Sequence, residues 1–259
     1  IHIDTSIDIH KPINFKNSME RLFELYSHCF EFAKKNKKNV LFEIGTEEQS
    51  GSTNNFRDLQ KTLDELFIFC KKNKYPNATF VVAQAGTKVM ETKNIGSFES
   101  PVRIKHEIPV EIHLLKTLEI CKKNKIYMKE HNADYLNTDS LKWHPKLGIH
   151  AANVAPEFGV CESKKILEIF KENNLKKEIN KFIEISYNSK KWEKWVLDKN
   201  LISDFDKAII SGHYIFSDLE FLEMKKQAQS KLKNINIDSI LKKEIKTCIK
   251  RYLKSFELI

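Results

Sequence analysis

One short phrase, written three times, constrains this chain more than anything else in it. Ala33-Lys34-Lys35-Asn36-Lys37, Cys70-Lys71-Lys72-Asn73-Lys74 and Cys121-Lys122-Lys123-Asn124-Lys125 each follow an amphipathic stretch and precede a β-like run. Lysines in a last helical turn complement the negative end of the helix dipole. Asparagine tolerates the left-handed conformation that ends a helix, and that conformation is assigned here to the three asparagines. The phrase reads as a helix stop, and its repetition marks a repeated helix-to-strand unit.

The rest of the sequence follows that rhythm. Leu22, Leu25, Tyr26, Cys29, Phe32 and Ala33 recur at helical spacing within 17–36. Leu59, Leu63, Leu66, Phe67 and Cys70 do so within 56–73, and Val110, Leu114, Leu118 and Cys121 within 109–124. A further helix is predicted over 159–173. Between them, strands are predicted at Ile1–Asp4, Val40–Ile44, Phe80–Ala83, Ile126–Lys129 and Leu147–Ile149. Alternating strands and helices give an α/β fold with a parallel sheet. Five such strands suit an open doubly wound sheet or the later part of a TIM (β/α)8 barrel. From about residue 176 the alternation stops and Lys, Ile, Leu and Phe dominate, so 1–175 is read as the β/α part and 176–259 as a helical C-terminal region packed on it.

Composition removes other classes. The chain has 259 residues and a formal net charge of +9. Its lysine excess falls largely at the helix stops, with no basic stripe interleaved with stacking aromatics, so no nucleic-acid partner is expected. No apolar run reaches the roughly 20 residues of a membrane helix. Five cysteines without a CxxC read as small buried hydrophobes in a reducing compartment, and a cytoplasmic location is expected. The chain opens on a strand-like Ile1 without a leader pattern, which suggests a fragment of a longer protein. There is no GxGxxG and no P-loop, so neither dinucleotide nor kinase chemistry is expected.

Each predicted strand ends in polar residues, as in barrel enzymes. His131, in Glu130-His131-Asn132-Ala133-Asp134, could ligate a divalent metal as a neutral imidazole; its bland alternative is a histidine satisfied by local hydrogen bonds. Glu47 and Glu48 follow Gly45 and could act as base or metal ligand, or could be a solvated carboxylate pair. Gly86, Thr87 and Lys88, after Gln84, could hold a phosphate or a sugar hydroxyl, or form a plain loop. Asp4 could bind a substrate hydroxyl or orient a base, and could equally cap the next segment. His150 and Asn153 could complete the ring.

Five short motifs in order, Ile1-His2-Ile3-Asp4-Thr5-Ser6, Glu43-Ile44-Gly45-Thr46-Glu47, Val81-Val82-Ala83-Gln84-Ala85-Gly86, Glu130-His131-Asn132-Ala133-Asp134-Tyr135 and Lys146-Leu147-Gly148, resemble the GatZ/KbaZ-like family, the non-catalytic subunits of class II D-tagatose-1,6-bisphosphate aldolase. The resemblance implies a TIM barrel, sugar-phosphate metabolism and partnership with a catalytic class II aldolase subunit, with homo-oligomers also allowed. It implies aldol cleavage to dihydroxyacetone phosphate and glyceraldehyde 3-phosphate, by the chain or its partner. A divalent metal, usually zinc, would polarise the ketone, with His131 as its ligand. Glu47 and Asp4 would be catalytic, and Gly45, Thr46, Gln84, Gly86, Lys88 and Asp134 would bind substrate. Against that pattern the chain lacks an upstream third with its Gly-Gly-Asp-His-like loop. Glu48-Gln49-Ser50-Gly51 also departs from the family's run after the Gly-Thr-Glu, and His150 and Asn153 have no family counterpart.

Overall fold

The computed structural model describes residues 1–6, 14–45, 55–96, 98 and 109–259. The stop phrase does end helices. α1 (Phe15–Lys35), α2 (Phe56–Asn73) and α3 (Val110–Lys123) all finish on it. The left-handed residue, however, is the lysine after each asparagine: Lys37 at φ 53°, Lys74 at 57° and Lys125 at 52°. The asparagine stays right-handed or in the helix and donates its side-chain amide four residues back, from Asn36 to the Phe32 carbonyl, Asn73 to Phe69 and Asn124 to Ile120, at 2.8–2.9 Å. The next N–H then closes the helix, from Lys38 to Ala33, Tyr75 to Cys70 and Ile126 to Cys121. Each stop thus satisfies carbonyls that a bare helix end leaves without partners. α5 (Pro156–Glu172) ends the same way, with Asn173 bonding back to Ile169 and Asn174 left-handed.

The sheet that these helices accompany has five parallel strands in chain order: β1 (His2–Asp4), β2 (Glu43–Gly45), β3 (Phe80–Ala83), β6 (Tyr127–Glu130) and β7 (Ala151–Ala152). Among the described residues the sheet is open, β1 and β7 each having one paired neighbour. A five-stranded parallel α/β sheet of this order is compatible with part of a TIM-type fold.

Two strand expectations need correction. The second strand begins at Glu43, not Val40, because its register is set by pairing with His2–Asp4. The last strand is Ala151–Ala152, not Leu147–Ile149: Leu147 closes α4 (Thr138–Leu147), and Gly148, at φ 84°, turns the chain out of it. A hairpin of β4 (Val89–Met90) and β5 (Lys93–Asn94), missed from the sequence, follows β3.

Contacts divide the chain into two units: residues 1–88, 95–133 and 143–153, and residues 89–94, 134–142 and 154–259. In the first, register aligns Ile3, Ile44, Val81 and Met128 in one buried row. That row packs with Leu22, Tyr26, Leu63 and Leu66 from α1 and α2 and with Leu114 and Cys121 from α3. Successive side chains in a strand point to opposite faces. The rows on either side, His2–Glu43–Phe80–Tyr127 and Asp4–Gly45–Val82–Lys129–Ala151, therefore share the other face.

The second unit is helical, with the hairpin bonded through Glu91 N–H to the Trp195 carbonyl. Its core joins Val160, Ile166 and Phe170 of α5, Phe182 of α6 (Lys176–Asn188), Ala208 of α7 (Asp204–Ser211), Met224 of α8 (Leu219–Lys231) and Leu241 of α9 (Ile237–Ser255). α5, placed with the β/α part in the sequence reading, belongs to this core, so the packing boundary falls near residue 154 instead of 175. No described helix is long and apolar enough to cross a membrane.

Candidate functional site

Parallel strands bring their C-terminal ends to one edge, where loops can carry chemistry. In the first unit that edge gathers Asp4, Gly45, Gln84 and His131, with Glu43, Lys129 and His2 on the same sheet face. Lys129 Nζ donates to both Glu43 carboxylate oxygens at 3.0 Å. To reach them from β6 it spans β3, on the face where its row holds Val82 and Gly45. His2 Nδ1 lies 2.8 Å from Glu43 Oε1. The ion pair is half-buried, its side chains 22% and 16% exposed, which strengthens it over a surface pair.

His131 continues β6 by one residue, its N–H bonded to the Ala83 carbonyl at 3.0 Å. Its Nδ1 lies 3.3 Å from Gln84 Oε1 and 3.2 Å from Asn132 Nδ2. A protonated Nδ1 donates to Gln84; an unprotonated one accepts from Asn132. Burial pushes the His131 pKa below the usual range, against the attraction of Asp4 and with the repulsion of His2 and Lys129. The imidazole is therefore neutral at neutral pH, the form that can take a proton or bind a metal. Asp4 Oδ1 accepts from the N–H and hydroxyl of Ser6, at 2.9 and 2.6 Å.

Beneath this edge, Glu130 is fully buried. Its Oε1 accepts from Ala85 N–H at 3.1 Å and lies 2.7 Å from the Thr87 hydroxyl, while Oε2 has no partner. Thr87 also contacts the His131 carbonyl. One hydroxyl hydrogen cannot serve both acceptors. A proton on Glu130 Oε1 resolves that conflict: it is donated to the Thr87 oxygen, and Thr87 donates onward to the His131 carbonyl. Burial raises Glu130 to about 7, against the lowering effect of its bonds to Thr87 and Ala85.

The other sequence candidates fall as follows. Gly86, at φ 123°, is buried, its carbonyl accepting from Phe98 N–H, and a Cβ on Gly96 would lie 2.1 Å from that oxygen. Thr87 is occupied beside Glu130, so the loop's hydroxyl is turned inward. The Lys88 carbonyl accepts from Ile95 N–H. Asp134 belongs to the second unit, where it caps α5: Oδ1 accepts from Ala155 and Glu157 N–H, both at 2.9 Å. Burial raises it to about 6. His150 precedes β7 and packs its ring, tilted by 42°, on Tyr127 with centroids 4.7 Å apart, at the opposite end of the strands from His131. Asn153 lies just past β7, its N–H bonded to the Glu130 carbonyl and its own carbonyl to Ala133 N–H. Thr46, Glu47 and Glu48 lie outside the described residues.

Glu43 and Lys129 were not singled out from the sequence. The signal was there: a charge on the face opposite Ile44 and Met128 in otherwise apolar strands. Among the described residues no three His, Cys, Asp or Glu side chains come together as a metal-holding set. His131 Nδ1 faces amides. Among the described residues, His131 therefore lacks the full ligand set of a zinc centre.

No protein-family model matches the chain, and none of the curated proteins is similar to it in sequence. Solved structures are similar in fold. A protein described as a probable tagatose 6 phosphate kinase from Sinorhizobium meliloti 1021 superposes with TM-score 0.70 at 12% identity, covering 98% of this chain and 72% of its own. The fructuronate-tagaturonate epimerase UxaE from Cohnella laeviribosi, with two glycerols bound, gives 0.63 at 12% identity, covering 93% of this chain and 51% of its own. This chain thus spans about half the length of the epimerase. At that identity the likeness shows a shared fold.

Proposed function

We propose that this chain acts in carbohydrate metabolism, binding a phosphorylated ketose or sugar acid at the C-terminal edge of its parallel strands for aldol-type chemistry. The observation that carries the reading is the convergence of neutral His131, Asp4 and a Glu43-held Lys129 on one sheet face. In a retro-aldol step His131 takes the proton of the hydroxyl that becomes a carbonyl. The carbon–carbon electrons pass to the neighbouring ketone as an enolate, and Lys129 places its charge where that oxyanion forms. Asp4 accepts hydrogen bonds from substrate hydroxyls. This step serves cleavage of a ketose bisphosphate, as the aldolase resemblance implies; re-addition of the enolate to the other face of the released carbonyl, with the proton returned by His131, would instead invert the hydroxyl-bearing carbon.

A second reading is an accessory subunit that binds sugar phosphate and stabilises a catalytic class II aldolase subunit. It is favoured by how fully the acids are engaged, Glu43 by Lys129 and His2, and Asp4 by Ser6.

The test measures dihydroxyacetone phosphate release from tagatose 1,6-bisphosphate, and epimerisation of tagaturonate, with and without a class II aldolase subunit. Turnover by the chain alone that falls about 10²-fold or more in His131→Gln and Lys129→Met supports the first reading. Activity only of the partner, raised by the wild-type chain, selects the second. Turnover indifferent to both substitutions refutes the site.

A further inference from the structure

Five cysteines are free, and one of them, Cys29, lies partly buried against the first core. Cys70 and Cys121 are buried in the first core, where burial pushes their thiols up to about 11 and about 12. Inert packing is the expected behaviour of such groups. Cys161 and Cys248 differ. They lie on α5 and α9 of the second unit, and both are partly exposed.

The two helices cross so that each thiol meets an acid one turn away from the other thiol. Cys161 Sγ lies 4.0 Å from Glu244 Oε1, and Cys248 Sγ lies 3.7 Å from Glu157 Oε1. Glu157 precedes Cys161 by one turn of α5, and Glu244 precedes Cys248 by one turn of α9. The crossing is held from outside the thiols. Glu157 accepts from Tyr135 N–H at 2.5 Å and from Arg251 at 2.6 Å, contacts the Tyr252 hydroxyl, and Arg251 also reaches the Leu136 carbonyl. The crossing that places Cys161 and Cys248 on facing helices is therefore held by a frame that does not depend on their sulfurs.

We propose that Cys161 and Cys248 are an oxidisable dithiol that closes to a reversible intramolecular disulfide linking α5 to α9. The two sulfurs have different parts. The neighbouring Cys248 thiol lowers the Cys161 pKa, and Lys164, one turn along α5, adds a positive charge that favours a thiolate there. Cys161 is the attacking thiolate and Cys248 the resolving thiol. With a low-molecular-weight disulfide as oxidant, Cys161 sulfur attacks one of its sulfurs, its S–S bond breaks, and one thiolate leaves. Cys248 then gives its proton to the Glu157 carboxylate or to water and attacks the Cys161 sulfur. The mixed disulfide breaks, the second small thiolate leaves, and both thiolates take up the two protons released. One small disulfide is reduced to two thiols and the protein dithiol is oxidised.

The test equilibrates the full chain in glutathione buffers of graded potential, blocks free thiols with iodoacetamide, and maps peptides without reductant. The expected result is a linked peptide pair carrying Cys161 and Cys248, an intact mass, read before alkylation, lower by about 2 Da, as loss of two thiol hydrogens requires, and full recovery with dithiothreitol. Cys29→Ser leaves this unchanged. In Cys248→Ser, Cys161 instead accumulates a glutathione adduct. Free Cys161 and Cys248 across the whole range of potentials, or a stable single adduct in the wild-type chain, overturns the proposal. The wild-type map decides the matter even if a variant does not fold.

Discussion

Replacing Glu130 by Gln removes the proton whose binding the structure ties most closely to folding. Burial raises this carboxyl from 4.5 to about 7. A group that holds its proton more tightly when folded gives its full stabilisation below the unfolded value, and that stability is lost as pH rises through the folded one. The window runs from 4.5 to about 7, and across it the loss is roughly 3 kcal/mol, at about 1.4 kcal/mol per pH unit. Gln keeps the shape and the acceptor for Ala85 N–H, but places an amide hydrogen pair where Oε2 has no partner. That costs about 1–3 kcal/mol at every pH. Wild type should therefore be the more stable at pH 5. By pH 8 its advantage should shrink by roughly 2–3 kcal/mol, the share of the window between those values. Urea unfolding of both proteins at the two pH values reads this directly, and other titrating groups cancel between them. Parallel pH dependences in the two proteins would show that Glu130 is not protonated by burial and would refute the reasoning.

Three further outcomes are expected. Glu43→Gln and Lys129→Met should be non-additive, with a coupling of about 1–2 kcal/mol in a double-mutant cycle of unfolding free energies, and strict additivity would deny the bridge. Lys37→Gly, Lys74→Gly and Lys125→Gly should each raise the thermal midpoint, since a left-handed non-glycine residue costs about 1 kcal/mol and the lost charge–dipole term is smaller; the matching alanine variants should not. Asp134→Ala should cost about 1–2 kcal/mol and speed amide exchange at Ala155 and Glu157, because the residue at the start of α5, Ala155, has no capping side chain. Unchanged exchange there would remove Asp134 from that role.

The helices were legible because their apolar stripes and stops agree; α2 spans the predicted 56–73. Strand edges were less so. Val40, Leu41 and Phe42 have the composition of a strand, but pairing with β1 begins only at Glu43. α4 was invisible to periodicity, with Leu141 and His144 as its fully buried positions and Pro145 inside it. Of the site, His131 and Gln84 could be named because they follow strands. Asp134 could be named too, but its work as a cap for a helix twenty residues on depends on tertiary folding. The Lys129–Glu43 bridge joins positions 86 residues apart and appears only once register places both on one face.

The three lysine–asparagine stops also decide where the molecule carries its charge. They hold nine lysines, against a net charge of +9 for the whole chain. Helix ends precede strand beginnings, so these lysines crowd one rim of the first unit, and His131, Asp4 and Gln84 occupy the opposite rim. The unit is thus polar along its strand axis. Added salt should release a polyanion such as heparin from the lysine rim long before it weakens the half-buried Lys129–Glu43 pair on the strands' far side.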